Sequence, residues 1–347
     1  MRKIALLLGL VLALTSLTGF AVAENVELVV FNWFDYIDPA VLDIFEEETG
    51  ISVQYVNFTT NEAMYTKLEA GAGTYDVIFP SDYMIERMIN HDMLAELDLD
   101  AIPNFANIMD LMKDRGFDPG NRYSVPYTWG TLGYVYNPEM VDGELTSWSA
   151  LFDDANAGKV LMMDSMRDAI GLALKYLGYS VNSTDPDELE AAKDLLVDQR
   201  QRGIQAGTQL DEIKDKMIGG EAAIGVVYSG DAQYAIDGNP ELKYVIPEEG
   251  SNFFVDGICI PKSSEHIAEA HQFIDFLCRE DIAQMNFDYI RYCSPVQAVI
   301  DNLSEEDMTM NAINPSEEEI ARCEDFVDVE DAMDLYENVW MEIRLAR

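Results

Sequence analysis

Apolar and polar positions along the chain follow two periods that alternate. Val26 to Phe31 is a strand-like run. It leads through Asn32-Trp33-Phe34-Asp35-Tyr36-Ile37-Asp38 to Pro39, which can open a helix. Residues 39–49 carry a helical stripe of Val41, Leu42 and Phe45, with Asp38 as candidate cap and Gly50 just beyond. Ile51 to Phe58 alternates as a strand, Asn61 to Ala70 is a short amphipathic helix, and Tyr75 to Phe79 is again apolar. Pro80-Ser81-Asp82-Tyr83 then turns into a helix reaching Asn90. Strand, helix, strand, helix, strand, helix predicts a parallel, doubly wound α/β sheet. Trp33, Asp35 and Tyr36 thus fall at the carboxyl end of a strand, the edge where open α/β sheets bind ligands.

Residues 98–122 are looser, with Pro103, Gly116, Pro119 and Gly120. Two strands are predicted next, 123–127 and 132–136, around a crossing at Thr128-Trp129-Gly130-Thr131. A second α/β set follows: a short helix holding Trp148, strand 159–163, helices 166–178 and 186–202, strand 222–228 ending in Ser229-Gly230-Asp231, and strand 242–246. Phe253 to Pro261 reads as a long strand that returns the chain to the first set. Helices 264–278 and 280–288, a turn at 291–295 and an acidic helical remainder with an amphipathic helix over 329–343 complete it. Two doubly wound halves joined by two crossings imply a central cleft and a hinge. The first lobe is expected over 24–131 plus 257–300 and the second over 132–256 plus 301–347.

Residues 1–23 change the compartment rather than the fold. A positive start at Arg2 and Lys3, an apolar run from Ile4 to Leu17 and the small-residue site Ala21-Val22-Ala23 predict a secretory signal peptide cut near Ala23. The mature protein is therefore expected to be exported and periplasmic. The formal charge is −42, which excludes a basic nucleic-acid footprint and favours attraction of small cations. A proteome-wide acidic bias, as in salt-adapted organisms, is the alternative explanation, since most of these charges lie far from any one site and are screened beyond ~10 Å. Cys259, Cys278, Cys293 and Cys323 fit no zinc spacing. Export permits disulfides, yet the apolar settings of Cys259 and Cys278 suit buried thiols equally. Three scattered histidines, His91, His266 and His271, offer little for a metal or catalytic site.

Four places repeat one signature of an apolar strand, then an aromatic or small polar residue, then an acid. They are Trp33/Asp35/Tyr36, Ser81/Asp82/Tyr83, Tyr228/Asp231 and Phe254/Asp256, and Asp164 to Asp168 adds acids without a ring. Singly, each is ordinary: a ring at a strand end is usually core or rim, and an Asp there usually caps a helix. Asp82 reads as first-turn helix decoration. Asp256 is different, because an acid inside an apolar strand needs a partner. Together the set describes a box in which aromatic walls meet methylenes and ammonium groups, and carboxylates accept charged hydrogen bonds. No nucleophile elbow, zinc-protease helix, phosphate loop or dinucleotide fingerprint is present. Paired carboxylates leave a glycosidase open as the enzymatic alternative.

The motifs Phe-Asn-Trp-Phe-Asp-Tyr-Ile, Phe-Pro-Ser-Asp-Tyr, Ser-Val-Pro-Tyr-Thr-Trp-Gly, Leu-Gly-Tyr-Ser, Phe-Phe-Val-Asp-Gly-Ile-Cys-Ile-Pro and Arg-Tyr-Cys-Ser-Pro occur in order over most of the chain. In these the sequence resembles the spermidine/putrescine-binding proteins of bacterial polyamine importers. The resemblance implies a two-lobed, type II-like periplasmic-binding fold that closes on a polyamine and delivers it to a membrane permease of an ABC importer. It implies a monomer with no cofactor, no metal and no catalysis. It places Trp33 and Tyr36 on first-lobe aromatic contacts, Ser81 and Tyr83 on the next contact loop, and Asp168 on an acid that starts a second-lobe helix. Tyr228 and Phe254 fall on aromatic contacts, Asp256 on the acid that holds an amine, and Tyr292 on a late aromatic contact. Asp35 and Asp231 resemble acids of the putrescine-preferring branch. Ser165 stands where spermidine binders carry Asp, Phe34 replaces a small hydroxyl residue, and Phe326 falls near an expected Gln. These departures tilt the expectation toward putrescine, with Asp231 and Asp256 sharing one ammonium. Binding of a quaternary amine or iron, and an exported carboxylate hydrolase, remain the alternatives.

Overall fold

The winding of the first half follows from its caps and its apolar spacing. The computed structural model describes residues 26–71 and 73–346, so the expected leader lies outside the described residues. β1 (Glu27–Trp33), α1 (Pro39–Thr49), β2 (Ser52–Phe58), α2 (Asn61–Glu69), β3 (Val77–Ile78) and α3 (Asp82–Asn90) succeed one another. Asp38 caps α1 by accepting from the Ala40 N–H, and Gly50 ends it at φ 74°, a left-handed conformation that glycine adopts without penalty.

The strand pair expected around a crossing at Thr128–Thr131 is instead one 13-residue strand, β4 (Ser124–Tyr136), buried throughout. Pro126 has no N–H to give the ladder, and the register shifts between Pro126 and Thr128 rather than breaking. After it come β5 (Val160–Met163), α4 (Met166–Tyr176), α5 (Pro186–Gln201), β6 (Gln205–Gln209), α6 (Glu212–Ile218), β7 (Ile224–Tyr228) and α7 (Ser229–Gly238). β6 and α6 carry too few apolar residues to announce themselves in the sequence. Ser229-Gly230-Asp231 opens α7 rather than closing a strand. The chain ends through β8 (Lys243–Val245), β9 (Asn252–Cys259), α8 (Ile267–Leu277), α9 (Glu280–Ile290), α10 (Gln297–Asp301), α11 (Glu317–Ala321), β10 (Glu324–Asp325) and α12 (Met333–Leu345). The expected turn at 291–295 is a helix stop: Arg291 takes φ 60°, and Cys293 bridges to Trp129.

The strands run in the order β2-β1-β3-β9-β4-β7-β5-β6, with β10 on β9 and β8 on β4. β1, β2 and β3 are parallel, as are β5, β6 and β7. β9 and β4 are the antiparallel strands that join these two sets. The first half of β4 pairs with β9 and its last five residues pair with β7. Separate apolar cores form around the sets: Leu28, Val41, Phe45 and Phe273 in one, and Tyr134, Trp148, Leu174 and Tyr336 in the other. The four cysteines are free, three of them buried. No described helix is long and apolar enough to cross a membrane.

Candidate ligand-binding site

Between the two parallel sets lies a cleft of about 540 Å³. All twelve residues singled out in the sequence line it: Trp33, Phe34, Asp35, Tyr36, Ser81, Tyr83, Asp168, Tyr228, Asp231, Phe254, Asp256 and Tyr292. They do not share one environment. The turn after β1 explains part of the division. Asp35 sits at φ 48°, a conformation that a short polar side chain tolerates, and this reverses the chain. Phe34 is consequently left at the rim, 50% exposed, while Tyr36 returns to the interior. Trp33 is anchored by its indole N–H, which donates to the Phe79 carbonyl at 2.8 Å.

The deepest group is Asp256, carried by β9 and only 5% exposed. Its Oδ2 accepts from the Tyr36 hydroxyl at 2.5 Å, while its Oδ1 is buried with no hydrogen-bond partner among the described residues. Burial pushes this carboxyl up to about 6; Ser81 and Tyr36 restrain the rise, and Asp168 adds to it. The Tyr36 hydroxyl also meets Thr128 Oγ1 on β4, a neighbour without a sequence signal of its own. Around Asp256 stand Tyr292, whose ring is 4.9 Å edge-on from that of Tyr36, and Phe254, edge-on to Tyr228 at 5.2 Å. The Tyr292 ring packs directly on Gly230, where an added Cβ would meet it at 2.1 Å.

A second buried acid, Asp168, sits in the first turn of α4. Its Oδ2 accepts from Ser165 Oγ and from the Tyr228 hydroxyl, each at 2.6 Å. Burial raises its carboxyl above the usual range, and these two donors work against the rise. Neighbouring Arg167 is closed in by the rings of Phe326, Tyr83 and Tyr336, at 4.4, 5.1 and 5.3 Å. It therefore serves as packing for this wall. Tyr83 donates to Glu62 Oε1 at 2.9 Å, and Ser81 exchanges two hydrogen bonds with Asn61.

Asp82 is not the surface decoration its position suggests. It is fully buried, accepts the Tyr83 N–H at 2.7 Å and approaches the Val255 N–H at 3.4 Å. It thus ties the start of α3 to β9, one residue from Asp256. Burial holds its carboxyl well above the ordinary range.

The sequence expects Asp231 to join Asp256 at one ammonium. Asp231, in the first turn of α7, already faces a cation of the chain: Lys214 Nζ on α6 lies 3.4 Å from Asp231 Oδ1 and 3.9 Å from Asp35 Oδ2. Nothing in the local pattern marks Lys214, because what makes it notable is a contact between three separate elements. Asn252 likewise carries no sequence signal. It lines the cleft, and both its side-chain polar atoms are buried without partners among the described residues. Eight acids line the cleft, Asp35, Glu62, Asp82, Asp168, Asp211, Asp231, Asp256 and Asp288, against two bases, Arg167 and Lys214. Among the described residues no group of three or more His, Cys, Asp or Glu is placed to hold a metal ion.

A cleft between two wound sets, walled by rings and floored by buried carboxylates, is the geometry of a solute-binding protein. The chain belongs to the family of bacterial extracellular solute-binding proteins, whose pattern matches residues 40–315. It is 34% identical over 94% of its length, and 93% of the relative's, to the spermidine/putrescine-binding periplasmic protein of Salmonella typhimurium. It is likewise 34% identical to the putrescine-binding periplasmic protein SpuD of Pseudomonas aeruginosa, with 93% of each chain covered. Among solved structures, the spermidine/putrescine ABC transporter substrate-binding protein PotD of Streptococcus pneumoniae superposes with a TM-score of 0.80 at 38% identity. That match covers 92% of this chain and 99% of the other. The two-lobed fold and the family resemblance read from the motifs both hold. These relatives are solute-binding transport proteins rather than enzymes.

Proposed function

We propose that the protein is an extracytoplasmic carrier that captures a polyamine, putrescine before spermidine, and hands it to the membrane permease of an ABC importer. The observation that carries this reading is Asp256 Oδ1, an acceptor buried among aromatic rings that has no hydrogen-bond partner among the described residues. Such a group costs free energy until an N–H arrives. A primary ammonium brings both the charge and the hydrogen; a quaternary ammonium brings only the charge. Asp168, also buried, gives the cleft a second carboxylate for the other end of a diamine. Tyr36, Tyr228, Phe254 and Tyr292 provide apolar faces for the methylenes between, and Trp33 also lines the cleft.

The magnitudes agree with this division of labour. Burying four methylenes contributes about 3 kcal/mol. Micromolar binding needs about 8 kcal/mol, so the charged ends supply the larger part. Closure would turn on the two joining strands, near Thr131 on β4 and Asp256 on β9, bringing Tyr228 toward Trp33. The protein is read as a monomeric carrier without turnover, cut from its leader near Ala23.

A thermal-shift panel of putrescine, cadaverine, spermidine, spermine, betaine, Fe³⁺ and oligosaccharides tests the reading. Strong stabilisation by linear amines, with none by betaine, iron or sugars, is expected. Stabilisation by betaine or Fe³⁺ alone, or by nothing in the panel, contradicts it.

A further inference from the structure

Lys214 is the unusual residue of the cleft. An acidic site meant for a cation has no need of a lysine, yet here one is built into the lining. Its side chain is 13% exposed and its Nζ sits between Asp231 Oδ1 at 3.4 Å and Asp35 Oδ2 at 3.9 Å. The same Nζ lies 5.3 Å from the centre of the Tyr234 ring. Carboxylate and aromatic face around an ammonium are the same kinds of group that the Asp256 end offers a ligand. At this end, the chain supplies the ammonium itself. Asp211, which also lines the cleft, adds a third negative charge nearby, and burial alone would disfavour the lysine's charge. The acids outweigh that burial and hold Lys214 above its usual range.

We propose that Lys214 is a resident occupant of an ammonium subsite formed by Asp35, Asp211 and Asp231 beside Tyr234, and that by filling it the lysine confines the cleft to short diamines. The inference rests on the polyamine reading above and sharpens it. The Asp256 and Asp168 ends remain free for two ligand ammonium groups. A third ammonium, as in spermidine, would have to displace Lys214 or lie beside it, and like charges at such separations repel. Asp35 belongs to the turn after β1 while Lys214 and Asp231 stand on α6 and α7, so the lysine also bridges the two walls of the cleft. Size is not the restriction: about 540 Å³ is ample for a longer chain. The restriction is that the charges that would hold its far end are already satisfied.

Calorimetric titration of putrescine and spermidine into the wild type, Lys214→Met and Lys214→Arg tests this. Methionine keeps the length and removes the charge. The wild type is expected to favour putrescine. Lys214→Met should raise the spermidine-to-putrescine affinity ratio by about tenfold or more, and Lys214→Arg should leave it near the wild-type value. Because Lys214→Met uncovers the acids of the subsite and can lose stability, the double variant Lys214→Met/Asp231→Asn is measured beside it. It relieves the same charge imbalance and should lose the gained preference. An unchanged ratio in Lys214→Met, a gain that persists in the double variant, or a wild type that already favours spermidine overturns the proposal while leaving the polyamine reading intact. A wild type that binds neither amine overturns both.

Discussion

Tyr36 and Asp256 lie 220 residues apart in sequence, and the hydroxyl of one donates to a carboxylate oxygen of the other at 2.5 Å. This bond brings the turn after β1 to the strand that joins the two sheet sets. It also distinguishes the two oxygens of Asp256: Oδ2 is held by Tyr36, and Oδ1 has no hydrogen-bond partner among the described residues. Tyr36→Phe removes the donor and keeps the ring. The hydrogen bond favours the charged carboxylate, so its loss raises the carboxyl further and weakens diamine binding at neutral pH. A loss of about three- to tenfold is expected in calorimetry, with the enthalpy of binding altered. Unchanged affinity would show that the orientation of Asp256 does not depend on Tyr36.

Asp256→Asn separates binding from stability. The variant keeps the shape and removes the buried charge. Putrescine affinity should fall by tenfold or more, since a charge-assisted hydrogen bond is lost. The ligand-free protein should melt later at pH 7.5, by about 2 °C or more, because burial disfavours the carboxylate in the folded state. Scanning calorimetry with and without putrescine reads both effects. A variant that melts earlier without ligand and binds normally contradicts this role.

The pH dependence follows from the same group. Asp256 titrates at about 6 in the fold, above its unfolded value of ~3.9. Between these values the native state holds more protons than the unfolded chain, so this group's contribution makes unliganded stability fall as pH rises from ~4 to ~6, then level off. Ligand binding has the opposite sign, because an ammonium requires the carboxylate. Affinity for putrescine should be flat above ~pH 7 and fall toward tenfold per unit below ~pH 5.5. Asp168, also raised, steepens the fall at the acid end. Constant affinity from ~pH 5 to 7.5 would remove Asp256 from the site.

Gly230 supports the site from behind Tyr292. A Cβ there would lie 2.1 Å from the Tyr292 ring, and the ring is already in contact with Tyr36. Gly230→Ala should therefore push Tyr292 into the cleft or out of register. Destabilisation of about 1–3 kcal/mol and a several-fold loss of putrescine affinity are expected from denaturant melts and calorimetry. Trimming the ring in Gly230→Ala/Tyr292→Leu should restore stability but not affinity.

The alternation of periods in residues 26–90 was legible because α1 and α3 each have an apolar stripe and α1 has explicit start and stop residues. β4 was not, because Thr128-Trp129-Gly130-Thr131 looks like a crossing in a one-dimensional reading. In three dimensions the Pro126–Thr128 register shift absorbs the missing N–H, and Gly130 admits Phe254 and Ser229 where a Cβ would collide. Asp256 could be singled out because an acid in an apolar strand violates the local pattern. Asp82 could not, because a first-turn acid is ordinary until the strand beside it is known. Lys214 was invisible for the same reason: its meaning lies in Asp35 and Asp231, which reach it from two other elements. Local rules and the family motifs together pointed to the walls of the cleft, and only the packing showed which charges are already paired.

The central claim is that a diamine ammonium occupies the vacant oxygen of Asp256, and the most direct measurement is a crystal structure of the protein with putrescine. One ligand nitrogen should lie within hydrogen-bond distance of Asp256 Oδ1, the methylenes should run between Tyr36, Tyr228, Phe254 and Tyr292, and Lys214 should remain on Asp231. Putrescine bound with Lys214 displaced and its nitrogen on Asp35 and Asp231, leaving Asp256 Oδ1 empty, would contradict the account.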